Sequence, residues 1–177
     1  QEFPKHQFSW KVLGAVLKET GRVSESLVAS QKSVQLAPRD AEPHNSIGVA
    51  LQELGRLDEA ETSLMQALAL KPDFVEAHYN LGITLKKLGR FDEAEACYTQ
   101  AIALRPDYAE AHNNLGILLQ ELGRLDEAEA VFRQAVALKA DYAEAHSNLG
   151  NTLKELSKLE DAEASYKQAI VLKSDYA

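Results

Sequence analysis

Four of the five histidines, His44, His78, His112 and His146, follow one another at intervals of 34 residues, and each could supply an imidazole to a metal. Zinc ligands must converge within about 2.0–2.2 Å of a single ion. Side chains contributed one per stacked helical unit lie roughly 10 Å apart, so these rings do not converge. Their expected role is to fill the space that Trp10 fills at the equivalent place, and no metal is expected. The lone cysteine, Cys97, has no basic neighbours patterned to stabilise a thiolate, so packing is its expected role too. Paired acids recur as Asp58/Glu61, Asp92/Glu95 and Asp126/Glu129, a pattern that could suggest acid–base chemistry. Each pair opens an apolar helical run, where an Asp N-cap with Glu at the third helical residue makes a capping box. Ser24 and Glu160 take the cap place in the outer units. No glycine-rich phosphate loop, Ser-His-Asp order or CxxC occurs, so no catalytic residue and no cofactor is expected.

The elements that must position these side chains are repeats. Gly14, Gly48, Gly82, Gly116 and Gly150 form one series at the 34-residue step, and Gly21, Gly55, Gly89 and Gly123 form another seven residues later. Numbering one unit from 1 to 34 gives units 7–40, 41–74, 75–108, 109–142 and 143–176 without insertion or deletion. Residues 1–6 read as the tail of an upstream unit, since Pro4 lies one step before Pro38, and Ala177 as the start of a further one. The chain lacks an initiator Met and is expected to be a piece of a longer array.

Apolar or ring residues at positions 4, 7 and 11, and again at 20, 24 and 27, have helical spacing, so each unit is predicted to be two amphipathic helices. Gly at position 15 ends the first helix where φ must turn positive. Gly at 8 and Ala at 20 and 27 mark the close approach of the two helices, while larger residues fill the space between units. The first unit departs from this, with Ser26, Ser30 and Ser33 at positions 20, 24 and 27, and its second helix is expected to pack less well. Ala140 and Ser174 replace Pro38, Pro72 and Pro106, and Ser157 replaces the turn glycine of the last unit.

This pattern resembles the tetratricopeptide repeat, whose signature and 34-residue period it matches over residues 7–176. The resemblance implies an all-α solenoid, a right-handed superhelix of stacked antiparallel helix pairs whose first helices line a concave groove. Groove side chains would come from positions 2, 5, 6, 9, 12 and 13. Position 6 carries Asn80, Asn114 and Asn148, position 5 Asn45, Tyr79 and Asn113, position 9 Asn151, and position 12 Lys86, Gln120 and Lys154. A carboxamide donates and accepts, so a ladder of them can hold the backbone of an extended chain with little demand on its sequence. The other reading of these asparagines is that they bond to neighbouring helices. The ladder, with the run from Ala145-His146 to Glu155, is most similar to the repeats of O-linked N-acetylglucosamine transferases. None of that family's sugar-nucleotide catalytic region is present. The carboxylate clamp of chaperone-binding relatives does not fit: Lys11 is present, but Ala15, Ser46, Glu76 and Asn80 fill its other places.

The expected function is a scaffold that binds an extended peptide or partner protein in the concave groove. The alternative is the substrate-recognition arm of a larger glycosyltransferase-like enzyme. A net charge of −8 and the scarcity of Lys and Arg on one face argue against nucleic acid and anionic membrane as partners. No signal peptide or apolar span is evident, and a cytoplasmic location is expected. Apolar terminal units would favour end-to-end self-association.

Overall fold

The computed structural model describes residues 6–174. The expected upstream tail, apart from His6, and the expected further unit at Ala177 lie outside the described residues. The described residues form α1 (Gln7–Glu19), α2 (Val23–Leu36), α3 (Ala41–Glu53), α4 (Leu57–Leu70), α5 (Val75–Lys87), α6 (Phe91–Leu104), α7 (Ala109–Glu121), α8 (Leu125–Leu138), α9 (Ala143–Glu155) and α10 (Leu159–Ser174), with no strand among them. The chain divides into two compact units, Gln1–Cys97 and Tyr98–Ala177.

In the first unit α1 packs on α2, α2 on α3, α3 on α4 and α4 on α5; α1 also meets α3, and α3 meets α5. In the second unit α7 packs on α8, α8 on α9 and α9 on α10, with α7 also meeting α9. Odd-numbered helices thus approach backbone to backbone from hairpin to hairpin, whereas α2 and α4, or α8 and α10, do not; Arg133 on α8 reaches Asp161 on α10 through its side chain, at 3.3 Å. Within each unit the odd helices therefore form the tighter, inner face.

Local chemistry fixes each hairpin turn. Gly21, Gly55, Gly89 and Gly123 adopt φ of 73 to 76°, and Ser157 takes the same role at 60°. That conformation lets two backbone N–H groups turn back onto the helix just ended. Gly55 N donates to Gln52 O at 3.1 Å and Arg56 N to Leu51 O at 2.9 Å, satisfying carbonyls that a helix end leaves orphaned. The same pair of bonds recurs at the other hairpin turns, including Ser157 N to Lys154 O at 3.0 Å and Lys158 N to Leu153 O at 2.8 Å.

The expected capping boxes do not form. Helices α4 and α8 begin at Leu57 and Leu125, with Arg56 and Arg124 as N-caps and no side-chain cap bond. Asp58 and Asp126 therefore sit inside the first turn, as do Asp92 in α6, Ser24 in α2 and Glu160 in α10. The Arg after the turn glycine takes the non-helical backbone of the N-cap, with φ −88° and ψ 66° at Arg56, and the helix starts two residues earlier than a cap at position 18 requires. Its side chain grips the acid three residues on, as Arg56 Nε does to Glu59 Oε1 at 2.7 Å. The first-turn acids still complement the helix dipole.

Packing inside the hairpins α3–α4, α7–α8 and α9–α10 is set by a glycine facing a large side chain. A Cβ on Gly48 would lie 2.5 Å from Leu64, on Gly116 2.6 Å from Phe132, and on Gly150 2.8 Å from Tyr166. Leu64 and Phe132 are fully buried. In the first hairpin a Cβ on Gly14 would meet Ser30 Oγ at 3.1 Å, with Ser26 O and Ala29 Cβ in ordinary contact at 3.6 and 3.7 Å. Ser26, Ser30 and Ser33 are buried there; Ser26 Oγ donates to Gly14 O at 2.7 Å, while Ser33 Oγ has no partner.

Candidate functional site

The inner face of each unit carries polar side chains bonded across the hairpin junction. In the first unit Asn80 Nδ2, on α5, donates to Asn45 Oδ1, on α3, at 2.9 Å. In the second, Asn148 Nδ2, on α9, donates to Asn113 Oδ1, on α7, at 3.0 Å. The two bonds are the same contact, position 6 to position 5 of the hairpin before. Thr84 and Thr152 hydroxyls donate to the Asn80 and Asn148 carbonyls at 3.0 Å, pinning the helix turn that carries each amide. Gln52 Nε2 reaches Thr84 Oγ1 at 3.1 Å, and Gln120 Nε2 reaches Glu155 Oε1 at 3.0 Å. Asn151 Oδ1 accepts from the Tyr166 hydroxyl at 2.7 Å.

Asn45, Asn80, Asn114 and Asn148 are half-buried, as are Tyr79 and Lys86 on α5 and Gln120 on α7; Asn151 and Lys154 on α9 are exposed. Asn113 is the exception. It is 1% exposed, with Nδ2 buried and unpartnered, so it supports Asn148 from within the junction and does not reach a guest. The reading in which asparagines bond to neighbouring helices thus accounts for one N–H of Asn80 and of Asn148. An amide nitrogen carries two N–H groups and its oxygen two lone pairs, so each retains bonding capacity beyond that contact.

Charge ties successive hairpins together. Arg90 Nη1 lies 2.7 Å from Glu61, and Lys158 Nζ 2.6 Å from Glu129, each a cation from the turn reaching the second helix of the preceding hairpin. Burial pushes the Glu129 carboxyl up, but the Lys158 hydrogen bond and the charges of Arg133 and Lys158 outweigh it and hold the group below the usual carboxylate range. Glu110 is likewise held low by Lys139, 3.0 Å away, against its burial. Burial raises the Cys97 thiol to about 11, helped by the Glu93 charge, which keeps it protonated and unreactive at neutral pH. Among the described residues no cluster of His, Cys, Asp and Glu could hold a metal ion. Among them, too, no helix is long and apolar enough to cross a membrane.

The sequence profile of the tetratricopeptide repeat matches residues 73–141 and 109–173, together more than half of the chain. The chain belongs to the tetratricopeptide repeat family. A further profile, described as TPR repeat, matches residues 50–89. No curated protein matches the sequence. Solved tetratricopeptide structures align over most of their length. MamA from Desulfovibrio magneticus RS-1 is 22% identical with a TM-score of 0.82, covering 99% of this chain and 98% of that one. Pseudomonas aeruginosa PilF is 19% identical with a TM-score of 0.87, covering 93% and 75%. YrrB, described as a TPR protein with an unusual peptide-binding site, is 23% identical with a TM-score of 0.73, covering 97% and 88%. At these identities the likeness is one of fold.

Seen in the tetratricopeptide register, the position-4 histidines have a role that spacing alone missed. His44, His78, His112 and His146 place Nε2 at 3.1, 2.8, 3.0 and 3.1 Å from the carbonyl oxygen six residues earlier. A carbonyl only accepts, so Nε2 carries the proton and the ring latches the loop between hairpins. Ala140 serves His146 as well as the prolines serve the others, so the lost proline leaves the latch intact. A cation also stacks on the loop aromatic: Lys71 on Phe74 and Arg105 on Tyr108, both at 5.0 Å, and Lys139 on Tyr142 at 4.9 Å. Cations at position 31 and aromatics at position 34 of the second, third and fourth repeats carry that signal in the sequence.

Proposed function

We propose that this tetratricopeptide chain binds an extended polypeptide along the inner face of its odd-numbered helices, as a binding module and not as a catalyst. The observation that carries the reading is the recurrent amide pair, Asn80 with Asn45 and Asn148 with Asn113. A bond to the neighbouring hairpin fixes the orientation of each position-6 amide before any guest arrives, which lowers the ordering cost of binding. What remains on Asn80 and Asn148 can pair with a peptide N–H and C=O. Each such bond contributes about 0.5–1.5 kcal/mol net. Tyr79, Lys86, Asn114, Gln120, Asn151 and Lys154 flank these amides, and Asn45 and Asn113 act from behind as positioning residues. The repeats are taken as 7–40, 41–74, 75–108, 109–142 and 143–176. A neighbour in fold whose title names a peptide-binding site supports the class of ligand.

The test is a pull-down with the wild type and with Asn80→Ala/Asn114→Ala/Asn148→Ala, with circular dichroism melts to verify folding. The variant should lose bound polypeptides while remaining helical. Retention of every partner would remove the amide mechanism.

A second reading is favoured by the resemblance of Asn80, Asn114 and Asn148 to the amide ladder of O-linked N-acetylglucosamine transferases: the chain as substrate-recognition arm of a larger glycosyltransferase-like enzyme. A catalytic domain encoded beside these repeats in the gene would favour it. Exposed Val16 and Val28 on the first hairpin and Ile170 and Val171 on the last helix support head-to-tail association of copies. Sedimentation velocity over a concentration series should then show reversible oligomers, and a strict monomer at high concentration would exclude them.

A further inference from the structure

The first hairpin departs from the others at the places that pack a tetratricopeptide junction, and the departures lie together. Position 24 is Leu64, Tyr98, Phe132 or Tyr166 elsewhere but Ser30 here. Position 9 is Ala15, against Val49 in the next repeat, and position 27 is Ser33 where every other repeat has Ala. Large side chains at position 24 lie against the glycine at position 8, as Phe132 does on Gly116 and Tyr166 on Gly150. At Gly14 that ring is missing. In its neighbourhood a cleft of about 310 Å³ opens between α1, α2 and α3, lined by Phe8, Val12, Ala15, Ser30, Ser33 and Ser46 among others. This volume is at the small end of what ligand sites use.

Three features say what the cleft takes. Its rim carries two exposed apolar side chains: Phe8 is 72% exposed and Val12 46%, at positions 2 and 6 where the next repeats carry Glu42 and Glu76, and Ser46 and Asn80. Its one cation is already matched, because Lys11 on the wall pairs with Asp40 at 2.9 Å and with Glu42, so no anionic guest is called for. Among the lining residues, Ser33 is fully buried and its Oγ has no partner. An unsatisfied buried hydroxyl is costly, and the alanine of the other repeats would avoid the cost. The vacant space lies beside Ser30 and Ala15, next to the position that carries a large side chain in the other repeats, and Ser33 with its spare hydroxyl is among the residues that line it.

We propose that this cleft receives a tyrosine side chain of the guest polypeptide, the ring taking the place of the missing position-24 side chain and the phenol oxygen pairing with Ser33. The proposal rests on the reading of the chain as a peptide binder and adds a side-chain anchor to its backbone contacts. The face then has two parts: amides that accept any extended chain, and one pocket that sets which residue enters at the first junction.

Nuclear magnetic resonance titration of the isotopically labelled chain with p-cresol, the tyrosine side-chain analogue, and with toluene tests the pocket directly. p-Cresol should give saturable shifts at Ala15, Ser30, Ser33 and Ser46, with Kd on the order of 1 mM for so small a ligand. Toluene should bind at least threefold more weakly, and Ser33→Ala should erase that difference. Ser30→Leu, which copies Leu64, should fill the cleft: binding is lost while the melting temperature rises, so loss cannot be blamed on misfolding. Absence of saturable shifts, equal binding of both probes to the wild type, or undiminished binding to Ser30→Leu would each overturn the proposal. A twelve-residue Gly/Ser peptide with one central tyrosine should bind at least fivefold more tightly than its alanine counterpart. Equal binding of the two peptides overturns the pocket and leaves the backbone reading intact, whereas p-cresol binding with neither peptide bound overturns the backbone reading.

Discussion

The hairpin α1–α2 and the hairpin α7–α8 have the same backbone plan and differ in what fills it. Both close with a glycine at positive φ, Gly21 and Gly123, and both fold back two N–H groups onto the helix before. Yet Phe132 is fully buried against Gly116, while its counterpart at Gly14 is Ser30. The turn therefore sets the topology of a hairpin, and the position-24 side chain sets how firmly it is held and how much empty space lies beside it. A repeat can give up packing at one junction without losing its shape, because the stability of a stacked array is a sum of local and nearest-neighbour contributions.

That contrast can be broken from the well-packed side first. Phe132→Ser should cost about 3–5 kcal/mol, the range for emptying a buried aromatic site. Gly116→Leu should cost about 3 kcal/mol, because a Cβ alone already overlaps the Phe132 ring. Each shows as a melting-temperature drop of roughly 2–4 °C per kcal/mol for a chain of this size. The matching change in the first hairpin runs the other way: Ser30→Leu should stabilise by about 0.5–2 kcal/mol. A destabilised Ser30→Leu would mean that the cleft is not spare space.

The turn offers a smaller effect of the same kind. Gly123→Ala should cost about 1–2 kcal/mol, since a Cβ at φ 74° is strained. Ser157→Gly should gain about 1 kcal/mol, because Ser157 holds φ 60° with a Cβ. Equal and negligible effects in guanidinium titrations would show that the turn conformation is not what limits the hairpin.

The smallest expected effect is electrostatic. Position 21 is Leu27 in the first hairpin and Glu129 in α8, whose carboxylate is held below its ordinary value by Lys158 and Arg133 despite its burial. The unfolded chain therefore binds this proton at a higher pH than the folded one does. The contribution is complete above the ordinary carboxylate range, near pH 4.3, and fades as pH falls through the lower folded value. Melting curves between pH 6 and pH 3 should lose stability more steeply in the wild type than in Glu129→Gln. Parallel curves would remove the linkage.

Much of this was legible in the sequence, for reasons that differ by residue. The turn glycines and the glycine at position 8 were readable because each answers a local steric demand that repeats in register. The capping boxes were misread because Asp58 and Glu61 have the right spacing, but Arg56 takes the N-cap and moves the helix start. The pairing of Asn80 with Asn45 and of Lys158 with Glu129 joins residues about one repeat apart, which no short motif displays. Burial of Asn113 was equally hidden, since its neighbour Asn114 has the same chemistry and differs only by one step around the helix.

The claim on which the functional account turns is that position-6 amides on the inner face hold the backbone of an extended guest. The most direct measurement follows the side-chain amide resonances of the asparagines while an unstructured polypeptide is added. The account predicts that Asn80 and Asn148 shift and saturate together, with Asn45 and Asn113 following more weakly through their bonds to them. Saturable binding that leaves all four unmoved and shifts residues of α2, α4, α8 or α10 instead would contradict it.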